Sequence, residues 1–179
     1  IICVPTPILR DNPIPKPDIK SVLTAAASIS SILQPGDLVI LESTSPVGTT
    51  EQIESIFRQA GAPSDKVEIA DCPERVLPGR IMVELVENDR IVGGMTASAT
   101  SLAAEFYRTF VRGSVLETDA KTAELCKLAE NSFRDVNIAF ANELSLICDR
   151  EGISVWNLIR LANHHPRVNI LQPGPGVGG

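Results

Sequence analysis

Apolar residues recur at helical spacing over residues 122–144, a stretch without glycine or proline. Together with the many good helix formers, this spacing predicts one long amphipathic helix over about 119–150. Lys127, Asn131 and Arg134 form a polar row beside the apolar face, because positions i, i+4 and i+7 stack on one side of a helix. The row is either the solvated side of a surface helix or a site for an anionic substrate and a developing oxyanion. The apolar face comprises Leu125, Leu128, Ala129, Val136, Ala139, Phe140 and Leu144.

Upstream of this helix, short apolar runs alternate with stretches of helical periodicity. Pro17 is expected as the first residue of a helix that continues to Leu33, and the segment before it, 9–16, is expected to be a loop. Thr49 and Gln52 have the spacing of a capping box. Strands are predicted at Ile1–Val4, Asp37–Glu42, Val67–Ala70, Arg90–Gly93 and Ser114–Glu117. The other predicted helices are Thr50–Ala60, Ser98–Phe110 and Ser154–Ala162.

This alternation predicts an α/β fold, a partial doubly wound parallel sheet of the Rossmann-like kind over residues 1–118. An all-α segment, 119–179, follows it. Ligands of such sheets bind beyond the carboxyl ends of the strands. Three loops are expected there, Pro5–Pro7, Ser43–Gly48 and Cys72–Arg80. The sequence has no GxGxxG motif, so the dinucleotide fingerprint is absent from this chain.

Composition narrows the functional classes. The 179 residues are 44% hydrophobic, enough for a full core, and the net charge of −6 argues against a nucleic-acid partner. No apolar run of about 18 residues predicts a membrane span. The four cysteines lack metal-ligand spacing, so no metal site is predicted, and reduced thiols in a cytoplasmic protein are expected. The chain starts inside an apolar run without Met and stops in PGPGVGG, which suggests an internal piece of a longer protein.

Six motifs, in this order and spacing, resemble the nucleotide-sugar 6-dehydrogenases, the UDP-glucose/GDP-mannose dehydrogenase family. CPERV, NSFRDVNIAFANEL and NHHPRVNIL are most similar to the UDP-N-acetyl-D-mannosamine dehydrogenase branch. The resemblance covers essentially the whole chain. The motifs are CVPTP (3–7), ESTSPVGTT (42–50), CPERVLPGR (72–80), ELCKLAENSFR (124–134), FANEL (140–144) and HPRVNILQPGPGVGG (165–179).

The resemblance implies an NAD-dependent, four-electron oxidation of the C6 hydroxyl of a UDP-sugar to a carboxylate. A cysteine would hold the half-oxidised carbon as a thiohemiacetal and then as a thioester. That cysteine and the phosphate-binding glycine turn are expected outside this chain, so the piece alone is expected to be inactive. The implied sugar is N-acetyl-D-mannosamine, with other N-acetylhexosamines left open, and the implied product serves polysaccharide biosynthesis.

The resemblance also implies roles for individual residues. Lys127 would transfer a proton at the C6 oxygen or stabilise the oxyanion, and Asn131 would donate a hydrogen bond beside it. Glu74 would position or activate the water that cleaves the thioester, and Thr44 would hold that water near the nicotinamide. Thr6 would contact the dinucleotide together with Thr44. The implied substrate-binding residues are Arg75, Val76, Lys127, Asn131, Arg134, His165, Arg167 and Gly178.

A homodimer through the 119–150 helix is also implied, because its apolar face is too wide for a helix that lies on one sheet. Two alternatives stay open. A lysine and an asparagine four residues apart on a long helix also occur in β-hydroxyacid-type dehydrogenases, which carry out two-electron oxidation. The chain is otherwise a non-catalytic dimerisation module whose polar row serves solubility.

Overall fold

A computed structural model describes residues 1–9, 14–76 and 79–176. The chain divides into two compact units, Ile1–Leu128 and Ala129–Gly179, and the boundary falls within helix α5. The strands are β1 (Ile8–Leu9), β2 (Lys16–Pro17), β3 (Leu38–Leu41), β4 (Glu68–Asp71), β5 (Arg90–Gly94) and β6 (Val115–Asp119). The helices are α1 (Lys20–Ile29), α2 (Thr49–Gln59), α3 (Ile81–Glu87), α4 (Ala97–Arg108), α5 (Ala120–Glu151) and α6 (Val155–Ala162).

The first unit contains a sheet with the strand order β3-β4-β5-β6. The pairs β3–β4 and β5–β6 are parallel, whereas β4 and β5 are antiparallel. Ile2 lies parallel to Leu41 beside β3, where its N–H donates to the Ile40 carbonyl at 2.8 Å. The predicted doubly wound α/β class is confirmed, and its sheet is mixed rather than wholly parallel.

The central strands are buried on both faces, which explains their continuous apolar runs. Side chains alternate across a strand, so Val39 and Leu41 of β3 pack in one core cluster with residues of α1 and α2. Ile40, between them, packs in a second cluster with Tyr107 and other residues of α4. The helices therefore cover both faces of the sheet.

Three local predictions are wrong. Pro17 does not start a helix, because it pairs with Ile8 in a small antiparallel ladder within the segment expected to be a loop. Helix α1 begins at Lys20, whose N–H donates to the Asp18 carboxylate at 2.9 Å, and it ends at Ile29, before Leu33. The expected capping box is also absent, since Gly48 is the N-cap of α2 and no side chain of its own turn caps that helix.

The remaining predicted elements are confirmed, including the long helix α5 and the shorter α6 that follows it. The Ser154 hydroxyl caps α6 by accepting a hydrogen bond from the Asn157 N–H at 3.4 Å. Among the described residues, no helix combines the length and apolar character needed to cross a membrane.

Candidate active site

The loops that follow the first segment and β3 leave the sheet at the same edge and contact each other there. The Thr6 hydroxyl donates to the Thr44 carbonyl at 2.7 Å. One step closer to the sheet, the Ser43 hydroxyl accepts from the Val4 N–H at 2.8 Å and donates to the Val4 carbonyl at 2.9 Å. The structure therefore brings together the two threonines that the sequence assigned to the dinucleotide.

The loop after β4 reaches the same edge, because β4 is parallel to β3. The Glu74 N–H donates to the Glu42 carbonyl at 3.2 Å, so this loop starts against the end of β3. The Glu74 carboxylate accepts a hydrogen bond from the Val76 N–H. The Arg75 guanidinium donates to the Asp89 carbonyl at 3.0 Å, and all three predicted loop residues are half-buried.

A residue that the sequence reasoning missed, Glu124 of α5, holds the turn after β3. Its carboxylate accepts hydrogen bonds from the Gly48 N–H at 2.6 Å, the Thr50 N–H at 2.9 Å and the Thr50 hydroxyl at 3.0 Å. Glu124 is buried and caps α2 from 74 residues away. The acidic residue at the start of the ELCKLAENSFR motif was the available signal, but capping was expected to come from the local Thr49–Gln52 pair.

This cap also locates the predicted proton-transfer lysine. Lys127 follows Glu124 by three residues, so the two side chains leave neighbouring positions on α5. The contact of Glu124 with Gly48 therefore places this turn of α5 beside the turn that follows β3. Lys127 and Asn131 are half-buried, whereas Arg134, further along α5, is exposed.

In the second unit, the predicted substrate-binding residues after α6 are exposed. The Arg167 N–H donates to the His165 Nδ1 at 3.3 Å, so these two residues share one turn. Gly178 lies outside the described residues. Two asparagines that the sequence reasoning did not single out, Asn142 and Asn163, bind the backbone of the segment that follows this turn.

Buried polar groups lie behind the edge in the first unit. Burial, together with the charge of Glu124, raises the pKa of Asp71 to about 8, and neither carboxylate oxygen has a hydrogen-bond partner among the described residues. Burial raises the pKa of Cys72 to about 12. Cys72 therefore stays a thiol near neutral pH and is no thiolate nucleophile.

The Tyr107 hydroxyl donates to the Glu42 carboxylate at 2.5 Å, and burial raises the pKa of this phenol. The Arg90 guanidinium lies 5.6 Å from the centre of the Tyr107 ring, within cation–π range. Glu42 is thus fixed through its side chain while its carbonyl holds the Glu74 loop.

Sequence profiles of known families match nearly the whole chain. The profile described as UDP-glucose/GDP-mannose dehydrogenase family, NAD binding domain, matches residues 1–111. The profile of that family's central domain matches residues 121–179. The chain belongs to the UDP-glucose/GDP-mannose dehydrogenase family. The resemblance noted from the sequence motifs is confirmed.

Individual members of this family share more than half of the sequence. The UDP-N-acetyl-D-mannosamine dehydrogenase of Yersinia pestis is 59% identical, and the match covers 100% of this chain and 44% of that protein. The NDP-N-acetyl-D-galactosaminuronic acid dehydrogenase of Ralstonia solanacearum is 58% identical over the same shares. The chain therefore spans less than half the length of these curated relatives.

Solved structures agree with the fold. A UDP-D-ManNAc dehydrogenase from Pyrococcus horikoshii superposes with a TM-score of 0.90 at 46% identity, covering 99% of this chain and 42% of that one. A UDP-N-acetyl-mannosamine dehydrogenase from Staphylococcus aureus gives a TM-score of 0.87 at 47% identity, with coverage of 99% and 43%.

The two family domains divide the candidate site residues. Thr6, Thr44 and the loop 74–76 belong to the range matched by the NAD binding domain. The α5 row and the residues after α6 belong to the range matched by the central domain.

Proposed function

We propose that this chain is the NAD-binding and central part of a UDP-sugar 6-dehydrogenase that acts on UDP-N-acetyl-D-mannosamine. Residues 1–118 would form the part that binds NAD, and residues 119–179 the start of the central helical domain. The observation that carries the proposal is the Glu124 cap, which holds the Lys127 turn of α5 against the carboxyl edge of the sheet. The polar groups of Thr6, Thr44 and Glu74 lie at that same edge.

The proposed reaction converts the C6 hydroxymethyl group to a carboxylate. One molecule of water and two of NAD⁺ are consumed, and two NADH and three protons are released for each sugar oxidised. NAD would supply the acceptor for each hydride. The hydroxyl-bearing turn at Thr6 and Thr44 fits a ligand of this kind, because it offers polar groups at the carboxyl end of a parallel strand pair.

The proton and water steps are assigned to side chains of this chain. Lys127 exchanges a proton with the C6 oxygen or stabilises the oxyanion, with Asn131 as a neutral donor. Glu74 activates the water that cleaves the acyl intermediate, and Thr44 holds that water. The UDP-sugar is bound by Arg75, Val76, Arg134, His165, Arg167 and Gly178.

The covalent step needs a thiolate outside this chain. Cys72 is disqualified by its raised pKa, and Cys148 is buried. Cys126 adjoins Lys127, but neighbouring residues on a helix point about 100° apart. We therefore propose that the nucleophilic cysteine lies beyond the present sequence and that these 179 residues alone do not turn over substrate. The free cysteines fit a reducing, cytoplasmic compartment.

Product stoichiometry tests the proposal. The full-length protein, supplied with NAD⁺ and UDP-N-acetyl-D-mannosamine, is expected to form two NADH per sugar and a uronate identified by mass. UDP-N-acetylglucosamine and UDP-N-acetylgalactosamine, run in parallel, decide the epimer. One NADH per sugar, with a free aldehyde as product, would instead identify a two-electron dehydrogenase. Absence of nucleotide-sugar binding would identify a dimerisation module.

The proposal includes a homodimer through residues 119–150. Phe133, Val136 and Phe140 of α5 are 59%, 67% and 51% exposed in the single chain, an apolar surface that favours association. We expect the full-length protein to sediment as a dimer, and Val136→Glu to shift it toward monomer. A dimer of unchanged stability in that variant would contradict this interface.

A further inference from the structure

Two asparagine side chains tether the segment 168–176 to the helices of the second unit. Asn142, on α5, accepts a hydrogen bond from the Gly174 N–H at 2.9 Å and donates to the Gly174 carbonyl at 2.8 Å. Asn163, at the end of α6, accepts from the Ile170 N–H at 2.7 Å and donates to the Ile170 carbonyl at 2.9 Å. Each amide thus satisfies both backbone groups of one residue.

This pairing depends on the chemistry of the carboxamide. The segment 169–173 has no regular secondary structure, so its N–H and C=O groups need partners from elsewhere. A carboxamide offers a donor and an acceptor side by side, as a neighbouring strand would. A carboxylate of the same shape can accept from the N–H but cannot donate to the carbonyl.

The tethers also fix the direction of the segment along α5. Gly174 is bound at Asn142, and two residues later a Cβ on Gly176 would lie 2.8 Å from the Asp135 carboxylate. Asp135 precedes Asn142 by seven residues, or about two helical turns. The segment therefore runs toward the turn of α5 that carries Asn131 and Arg134.

We propose that Asn142 and Asn163 are positioning residues that hold the backbone of segment 170–176 in the conformation that binds the nucleotide-sugar. They act through the segment and do not touch the substrate. The substrate part of this proposal rests on the proposed function, whereas the tether itself does not.

Amide hydrogen exchange on the full-length protein tests the tether, with Asn142→Asp and Asn163→Asp as variants. Exchange in peptides that cover 168–176 is expected to rise about tenfold in each variant, because one hydrogen bond of each pair is lost. Asn137→Asp is the matched control, since the Asn137 amide donates only to the Phe133 carbonyl of its own helix, at 2.7 Å. Gly174→Ala should keep the slow exchange, because a Cβ there meets no atom within 4 Å.

Steady-state kinetics of the same variants test the positioning role. The KM for the UDP-sugar is expected to rise about tenfold with kcat within about threefold, and the control is expected to match the unsubstituted protein. If Asn142→Asp does not fold, Asn163→Asp at the end of α6 provides the same readout. Unchanged exchange in a folded tether variant, or an equal rise in the control, would overturn the tether. An unsubstituted protein without nucleotide-sugar turnover would overturn the proposed function and the substrate part, and leave the exchange result to decide the tether.

Discussion

The two units fix their candidate site residues in different ways. In the first unit, side chains from distant parts of the chain bind each other, as Glu124 does with Gly48 and Thr50. In the second unit, Arg134, His165 and Arg167 are exposed, and it is the backbone of segment 168–176 that two asparagines hold.

This difference matches a division of labour. Groups that transfer protons must be held to within a fraction of an ångström before substrate arrives. Charged groups that bind phosphate act over longer distances and tolerate an exposed position. We expect substitutions in the first unit to affect kcat and stability, and substitutions of the exposed charges in the second unit to affect KM.

The largest expected effect is that of Lys127→Met, which keeps the length of the side chain and removes its ammonium group. The kcat for UDP-sugar oxidation should fall about 100- to 10,000-fold, because proton transfer or oxyanion stabilisation is lost. Lys121→Met is the control on the same helix, since Lys121 forms only an exposed ion pair with Glu51 at 2.8 Å. Equal losses in both variants would break the comparison.

Next in size is the loss of stability in Glu124→Gln. The amide would place a donor against groups that are themselves donors, and a buried N–H would lose its partner. The free energy of unfolding should fall by about 2 to 4 kcal/mol, measured by chemical denaturation. Glu51→Gln, which breaks only the exposed pair with Lys121, should cost less than about 1 kcal/mol. A Glu124 variant as stable as this control would show that the cap contributes little.

The pH dependence of stability sharpens the contrast for Asp71. Its raised pKa of about 8 means that folded protein holds a proton which the unfolded chain releases above about pH 4. The stability of the natural protein therefore falls relative to that of Asp71→Asn as pH rises from about 4 to about 8. The gap should reach about 2 to 5 kcal/mol at pH 8, since a pKa difference of one corresponds to about 1.4 kcal/mol. Parallel stability curves for the two proteins would contradict this.

The smallest expected effect is that of Arg167→Ala, from the exposed set. The KM for the UDP-sugar should rise about tenfold while kcat changes little, as expected when one charge-assisted contact to phosphate is lost. Arg160→Ala is the control, because Arg160 is exposed on α6 and donates to Asn157 at 2.7 Å. A fall in kcat that exceeds the rise in KM would place Arg167 among the residues of the chemical step.

Much of the fold is predictable from the sequence because it depends on local pattern. The apolar run before Glu42 is a buried strand, and the periodicity of 122–144 is a helix. The direction of β5 is not encoded in this way, since a short apolar run reads the same whether its neighbour is parallel or antiparallel. Pro17 was misassigned because a proline suits both the first turn of a helix and an edge strand.

The candidate site is predictable only in part for the same reason. Thr6, Thr44 and Glu74 follow strands whose ends meet, so the sheet rule was enough to bring them together. Glu124, Asn142 and Asn163 bind residues between 7 and 76 positions away, and no local spacing marks such contacts. An acidic residue before a lysine, or an asparagine on a helix, has many ordinary surface roles.

The carboxylate that caps α2 has a further consequence for where phosphate can bind. Free amides at the start of a helix attract anions, and doubly wound proteins commonly receive phosphate there. At α2 the amides of Gly48 and Thr50 already hold the protein's own anion. Glu124 therefore acts as an internal substitute for a phosphate group and closes this end of the helix to ligands. The pyrophosphates of the dinucleotide and of the nucleotide-sugar must find their counter-charges elsewhere, so the specificity of the edge depends on hydroxyls and carboxylates rather than on a helix dipole.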